Sequence, residues 1–103
     1  MGKYFADQYS YLHFAAGIIT YFWGIKLFTF FLIHSAFELS ENTSTGMNII
    51  NKYMPFWPGS KPEADYPINM LGDTIFAILG WISAYLLNKL GSKYNWYDMH
   101  ITN

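Results

Sequence analysis

The chain contains no cysteine and no arginine, and it carries few charges. Its 103 residues include 13% charged residues and a net charge of −1, whereas a soluble domain typically has about 25% charged residues. The absence of cysteine excludes disulfides, thiolate metal sites and a cysteine nucleophile. The near-neutral charge provides no basic patch, so we expect no nucleic-acid partner.

Several functional motifs are also missing. The sequence has no glycine-rich phosphate-binding loop and no nucleophile elbow, and its first segment lacks the basic start and cleavage site of a signal peptide. We predict no cofactor, and no metal ion because a histidine followed four residues later by a glutamate is common on helices and no second metal-binding motif accompanies it. Aromatic residues, by contrast, make up 21% of the chain, which is typical of small membrane proteins, whose rings collect at the bilayer interfaces. The alternative is a compact soluble helical domain with a large aromatic core.

Three apolar stretches predict an all-α, polytopic membrane protein that forms a single domain over residues 1–103. Residues 8–25 carry no charge and would extend about 27 Å as a helix, close to the thickness of a bilayer core. We predict three hydrophobic helices, at about residues 7–23, 26–42 and 68–90. The short link after the first helix predicts that the first two form an antiparallel hairpin.

Small residues mark the ends and one face of these helices. Gly24 and Gly91 are expected to end the first and third helices. Ala77, Gly80 and Ala84 share one face of the third helix, where small side chains allow membrane helices to approach closely. With three spans, three lysines fall on each side of the membrane, so charge leaves the orientation open.

The segment between the second and third helices changes character. Residues 43–46 are expected to end the second helix, and residues 47–54 predict a short helix lying in the membrane interface. Residues 55–67 contain all four prolines and predict an ordered surface loop. Four aromatic side chains are predicted to anchor the protein at membrane interfaces: Trp23, Phe56, Trp57 and Trp96.

A polar face interrupts the second apolar stretch near its end. At 3.6 residues per turn, four side chains fall within about 100° of one another on the second helix: His34, Glu38, Glu41 and Asn42. Asn69 and Asp73 lie four residues apart on the third helix, and therefore on one face. In the predicted topology the end of the second helix lies beside the start of the third. The two polar faces are therefore expected to meet near one membrane boundary.

Two interpretations of this polar cluster remain open from the residues alone. Its imidazole and carboxylates could coordinate a hard divalent cation, or act as general acid and base on a lipid-linked substrate. Alternatively, the same side chains only hydrogen-bond one helix to the next, or contact a partner chain. His13, a lone histidine among aromatics, is expected to be satisfied by a neighbouring backbone group or tyrosine. An ion pathway is disfavoured because residues 75–82 contain no ionisable group.

Two motifs, HSAFELSEN at residues 34–42 and NMLGDTIFAILGW at residues 69–81, resemble small integral-membrane proteins that are broadly VanZ-like. That family includes a glycopeptide-resistance accessory protein, and its members similarly pair a helix bearing Glu and Asn with a later helix bearing Asn or Asp and then Gly. A shared site would fall on these residues: Glu38, Glu41, Asn42, Asn69 and Asp73. The chain departs from the family in lacking arginine and the usual four or five spans. It has a weaker likeness to small membrane proteins of large DNA viruses.

These observations predict a non-catalytic, multi-pass subunit of a larger membrane-associated assembly, such as a component of a virion membrane or capsid. Its expected partners are the lipid bilayer and other protein subunits, because three helices bury little surface by themselves. The alternative is a VanZ-like protein that binds or modifies a lipid or lipid carrier through the buried carboxylate and histidine cluster. An open cavity in which the carboxylates converge would favour this alternative.

Overall fold

The computed structural model describes residues 2–54, 56–57, 61 and 63–96. These residues form four helices in the order α1 (Ser10–Phe22), α2 (Leu27–Glu41), α3 (Ser44–Tyr53) and α4 (Pro67–Lys93), and no strand occurs among them. The predicted all-α class is therefore confirmed. The molecule is elongated, with principal extents of 48 × 26 × 22 Å.

The long helix α4 is the scaffold on which α1 and α2 pack. The start of α1 lies near the start of α4, and Tyr21 at its end reaches Asn88, so these two helices run parallel. Helix α2 runs in the opposite direction, because the backbone oxygen of Ile25 just before it accepts a hydrogen bond of 2.8 Å from Trp81 Nε1. The end of α2 consequently lies beside the start of α4, as predicted.

Glycines bring α1 and α4 into backbone contact. A Cβ at Gly17 would collide with the backbone oxygen of Ala77, and a Cβ at Gly80 would collide with that of Phe14. Ala77 is fully buried and Ala84 is 6% exposed. The predicted small-residue face of the third hydrophobic helix is therefore confirmed, and its partner is α1.

Several predicted boundaries are wrong by a few residues. Helix α1 begins at Ser10 rather than at residue 7. Residues 43–46 do not simply end α2: Thr43 Oγ1 accepts a hydrogen bond from the Gly46 amide and thereby caps α3. Helix α4 does not end at Gly91 but continues to Lys93, and Gly91 is buried.

Only α4 is long and apolar enough to cross a membrane, among the residues that the structure describes. Its 27 residues extend about 40 Å at 1.5 Å per residue. The 13 residues of α1 and the 15 of α2 extend only about 20 and 22 Å, which is short of the roughly 30 Å hydrocarbon core. The prediction of three spans is thus not supported, and a single candidate span is weak evidence of membrane association.

Several polar side chains lie inside the helical assembly beside a small apolar core that includes Tyr21, Phe30 and Trp81, and many large apolar side chains lie outside. The buried polar residues are Ser10, His34, Glu38, Lys61, Asn69, Asp73 and Asn88. The outward faces of the helices carry leucines, isoleucines and phenylalanines, including Leu32 on α2 and Leu79 on α4, which are 51% and 47% exposed. Apolar surfaces of this extent are typical of contacts with membranes or other proteins.

Candidate functional site: an acidic cavity between three helices

A cavity of about 380 Å³ lies between α1, α2 and the start of α4. Part of its wall is apolar and is formed by Leu12, Ala16, Phe30, Ile33, Phe37 and Trp57. The polar part of the wall includes four acids, two histidines, a lysine and an amide: Asp7, Glu41, Asp65, Asp73, His13, His34, Lys61 and Asn69. The cavity therefore offers an apolar surface and a charged surface to the same occupant.

Glu38 and His34 are the most unusual groups beside the cavity because they are buried and have polar atoms without a hydrogen-bond partner in the described part of the chain. Glu38 is 2% exposed and His34 is 8% exposed. Neither carboxylate oxygen of Glu38, nor Nε2 of His34, has a hydrogen-bond partner within the described part of the chain. An ionised carboxylate is costly to bury in this way, so Glu38 requires either a proton or a cation.

His13 and Asp73 join α1 to α4 at the same place. His13 Nε2 lies 3.2 Å from Asp73 Oδ2, while Asp73 Oδ1 has no partner among the described residues. The His13 ring also meets the His34 ring edge-on, with 5.2 Å between their centroids. The expectation that His13 is satisfied by backbone or tyrosine is therefore wrong. Its place four residues before Gly17, and therefore on the same helix face, is a sequence signal for a helix contact but does not identify Asp73 as the partner.

Lys61 provides the positive charge of the cluster. Its Nζ lies 2.6 Å from Asp65 Oδ2 and 3.0 Å from Glu41 Oε1. Burial by itself would lower the pKa of Lys61, but hydrogen bonds and charge attraction from Asp65 and Glu41 outweigh it and raise the pKa above the ordinary value of 10.5. Lys61 therefore stays protonated and links the loop to the end of α2. Lys61 and Asp65 are not among the site residues predicted from the sequence.

The two predicted amides have different partners. Asn42, which follows α2, accepts a hydrogen bond of 2.8 Å from the Asp65 amide and donates one of 2.8 Å to the Glu38 backbone oxygen. Asn69 instead faces the segment before α1, where its Nδ2 donates to the Tyr4 backbone oxygen at 2.7 Å. Asn69 lines the cavity but belongs to the contact between α4 and the start of the chain, rather than to the α2 face.

The predicted interface anchors divide into two kinds. Trp23, Phe56 and Trp96 are 73%, 76% and 61% exposed, which leaves them available to a membrane interface or a partner. Trp57 is half-buried, packs against Phe37 with 5.5 Å between ring centroids, and lines the cavity. Trp57 therefore contributes to the site in addition to any contact with lipid.

Two overlapping groups of side chains have their ligand atoms close enough to hold a metal ion. One consists of His13, His34 and Glu38, and the other of Glu38, Glu41 and Asp65; within each group these atoms lie within 4.8 Å of one another. In the second group, Glu41 and Asp65 already contact the Lys61 ammonium group. The first group forms no ion pair with a lysine among the described residues. It contains the buried atoms of Glu38 and His34 that have no hydrogen-bond partner in this described part of the chain.

No family model, curated protein or solved structure matches this chain.

Proposed function

We propose that this chain is a multi-pass membrane protein that binds an amphipathic, lipid-type ligand in the acidic cavity. In this proposal α4 crosses the bilayer and the α1–α2 hairpin packs against it within the same bilayer. The observation that carries the proposal is the cavity itself, in which an apolar wall and converging carboxylates are available to one occupant. Ligand sites commonly combine a mostly apolar lining with a few polar groups that fix orientation.

The arrangement of the molecule supports a membrane setting for this ligand. The apolar outer faces of α2 and α4 suit lipid tails, and ionisable residues of membrane proteins usually face the interior of a helix bundle or a wet cavity. A ligand tail would lie along Phe30, Ile33 and Phe37, while its polar head would meet the carboxylates. Because acids outnumber the one lysine of the cavity wall, the head is expected to carry an amine or hydroxyl groups.

Phosphatidylethanolamine is a suitable probe because it has both an ammonium group and acyl tails. We expect native mass spectrometry of the full chain in mild detergent to detect bound phosphatidylethanolamine. Ala16→Phe should weaken this binding about tenfold or more, because the added ring occupies the cavity at Ala16. Phosphatidylglycerol, which has no amine, should bind less well in the absence of added metal.

Ala15→Phe is the matched control, because Ala15 is the neighbouring residue of α1 and does not line the cavity. It introduces the same ring and should leave lipid binding unchanged. Circular dichroism of both variants establishes that the helices are intact. Equal lipid binding by the wild type and Ala16→Phe would show that the cavity does not hold the lipid and would overturn the proposal.

A non-catalytic subunit of a larger assembly is the second candidate. The observation that favours it is the number of large apolar side chains on the outside of the helices, such as Phe28 at 71% exposure, since such surface also serves contacts between membrane proteins. In this case light scattering in mild detergent should give a mass larger than that of one chain. Ala16→Phe, whose change lies in the cavity, should not alter that mass.

A further inference from the structure

We propose that His13, His34 and Glu38, supported by Asp73, bind a divalent transition-metal ion of the zinc type at the polar end of the cavity. The inference depends on the proposed function in one respect only, namely that the head of the bound lipid lies next to the ion. Binding of the ion itself is a separate property and is measurable without lipid.

Two helices bring the ligands together. His13 comes from α1, His34 and Glu38 come from α2 one turn apart, and their ligand atoms lie within 4.8 Å of one another. Zinc ligands stand about 2.1 Å from the ion, which places tetrahedral neighbours about 3.4 Å apart. Side-chain movements that shift each ligand atom by about 1 Å are therefore sufficient to close the group around an ion.

The unpartnered atoms are the independent observation that points to a ligand. Both Glu38 oxygens, His34 Nε2 and Asp73 Oδ1 are buried and have no hydrogen-bond partner within the described residues. Native proteins pair nearly all such groups, and an unpaired one needs an explanation such as an ion. A single cation contacting Glu38 and His34 satisfies two side chains that the protein leaves without partners.

The charges around the group favour a divalent cation. Lys61 is engaged by Glu41 and Asp65, so it does not neutralise the remaining acids. With an ion bound, Glu38 and Asp73 are deprotonated and provide two negative charges beside two imidazoles, which is the charge that one divalent ion balances.

The ligand types indicate which cation is bound. Magnesium and calcium prefer oxygen ligands, whereas two imidazoles and a carboxylate suit zinc or another first-row transition metal. Asp73 Oδ2 lies 3.2 Å from His13, in the manner in which carboxylates orient metal-binding histidines. Three protein ligands leave a coordination position open to an oxygen of the lipid head.

Zinc titration of the full chain in mild detergent, after treatment with a chelator, tests the site. We expect one tightly bound zinc per chain by calorimetry and by elemental analysis after dialysis. His34→Ala and Glu38→Gln should each weaken binding about tenfold or more. All proteins carry His100→Asn, which removes the third histidine of the sequence and thus its contribution to adventitious binding.

Glu41→Gln is the matched control, because it alters the second acidic group and leaves His13, His34 and Glu38 in place. It should retain tight zinc binding. Loss of zinc in Glu41→Gln with retention in His34→Ala would assign the ion to the other group and overturn the inference. Equal binding by His34→Ala and the parent protein would overturn it as well.

Two further measurements keep the test decisive if a variant does not fold. Cobalt added to the parent protein should give visible absorption bands typical of imidazole and carboxylate ligation, and their absence would contradict the inference. Ala16→Phe should lose lipid but keep zinc, so failure of the lipid proposal and failure of the metal site give different results.

Discussion

Lys61 joins the proline-containing loop to the end of α2 through two ion pairs. It is 8% exposed and contacts both Glu41 and Asp65. We expect Lys61→Met to lower the free energy of unfolding by about 3 kcal/mol at neutral pH, because two carboxylates lose their buried counter-charge. Chemical unfolding of the wild type and the variant in mixed micelles measures the difference.

The loss of unfolding free energy in Lys61→Met should depend on pH in a definite direction. The folded-state pKa of Lys61 is raised, so its contribution is fully present below the ordinary value of 10.5 and is lost as the pH rises through the folded-state pKa. The difference in unfolding free energy between the wild type and Lys61→Met should therefore become smaller as the pH rises above the folded-state pKa of Lys61. Lys52, which is exposed and lies over the Tyr53 ring, provides the control: Lys52→Met should cost little at any pH. A difference that stays constant at high pH would exclude the ion-pair explanation.

Residues that share one helix were easier to predict than residues that meet across helices. Helical spacing placed His34, Glu38 and Glu41 near one another because the spacing of an α-helix is fixed. The same argument contains no information on which side chain of α1 approaches Asp73, so the role of His13 was missed. Lys61 was missed because the path of an irregular loop does not follow from periodicity.

At the scale of elements, the contact between α1 and α4 depends on glycine. Gly80→Ala places a methyl group on the backbone oxygen of Phe14, and a backbone atom cannot rotate away. We expect a loss of about 1–3 kcal/mol in unfolding free energy, although alanine is the better helix former. Gly17→Ala, on the other side of the contact, should have a similar effect.

Ser83→Ala is the control for this prediction because Ser83 lies on an exposed part of α4. It also increases helix propensity, but it adds no atom at the contact with α1, so its effect should be within about 0.5 kcal/mol of zero. Chemical unfolding in micelles compares the three variants. If Gly80→Ala is as stable as Ser83→Ala, the backbones of α1 and α4 are not in close contact.

The ends of the helices show why short sequence signals do not fully predict where a helix begins or ends. Residues 43–46 can follow one helix or start the next, and the hydrogen bond from the Gly46 amide to Thr43 decides for the start of α3. Gly91 is a common helix-ending residue, but α4 continues through it and the chain turns only after Lys93. The existence and order of the hydrophobic helices could be predicted from apolar runs. The exact helix ends, however, depend on contacts that exist only in the folded structure.

At the scale of the molecule, the described residues bury several acids and amides beside a small apolar core and expose many leucines, isoleucines and phenylalanines. Such a distribution is unfavourable in water, because burial of apolar surface is the main driving force of folding. It becomes favourable when the outer surface is in lipid and the polar groups face one another. In the proposed arrangement, the short helices α1 and α2 are covered by lipid on one side and by α4 on the other, so they lie in the bilayer without spanning it alone.

Cysteine labelling tests this arrangement, and the absence of native cysteine makes each introduced thiol unique. Leu79→Cys on α4 and Leu32→Cys on α2 should not react with a charged maleimide on either side of lipid vesicles, because the thiolate does not form in hydrocarbon. Glu63→Cys, in the exposed loop, should react readily. Both protected thiols should react after unfolding in dodecyl sulfate. Reaction of Leu79→Cys in intact vesicles would exclude a membrane-spanning α4, whereas reaction of Leu32→Cys alone would place the α1–α2 hairpin outside the bilayer.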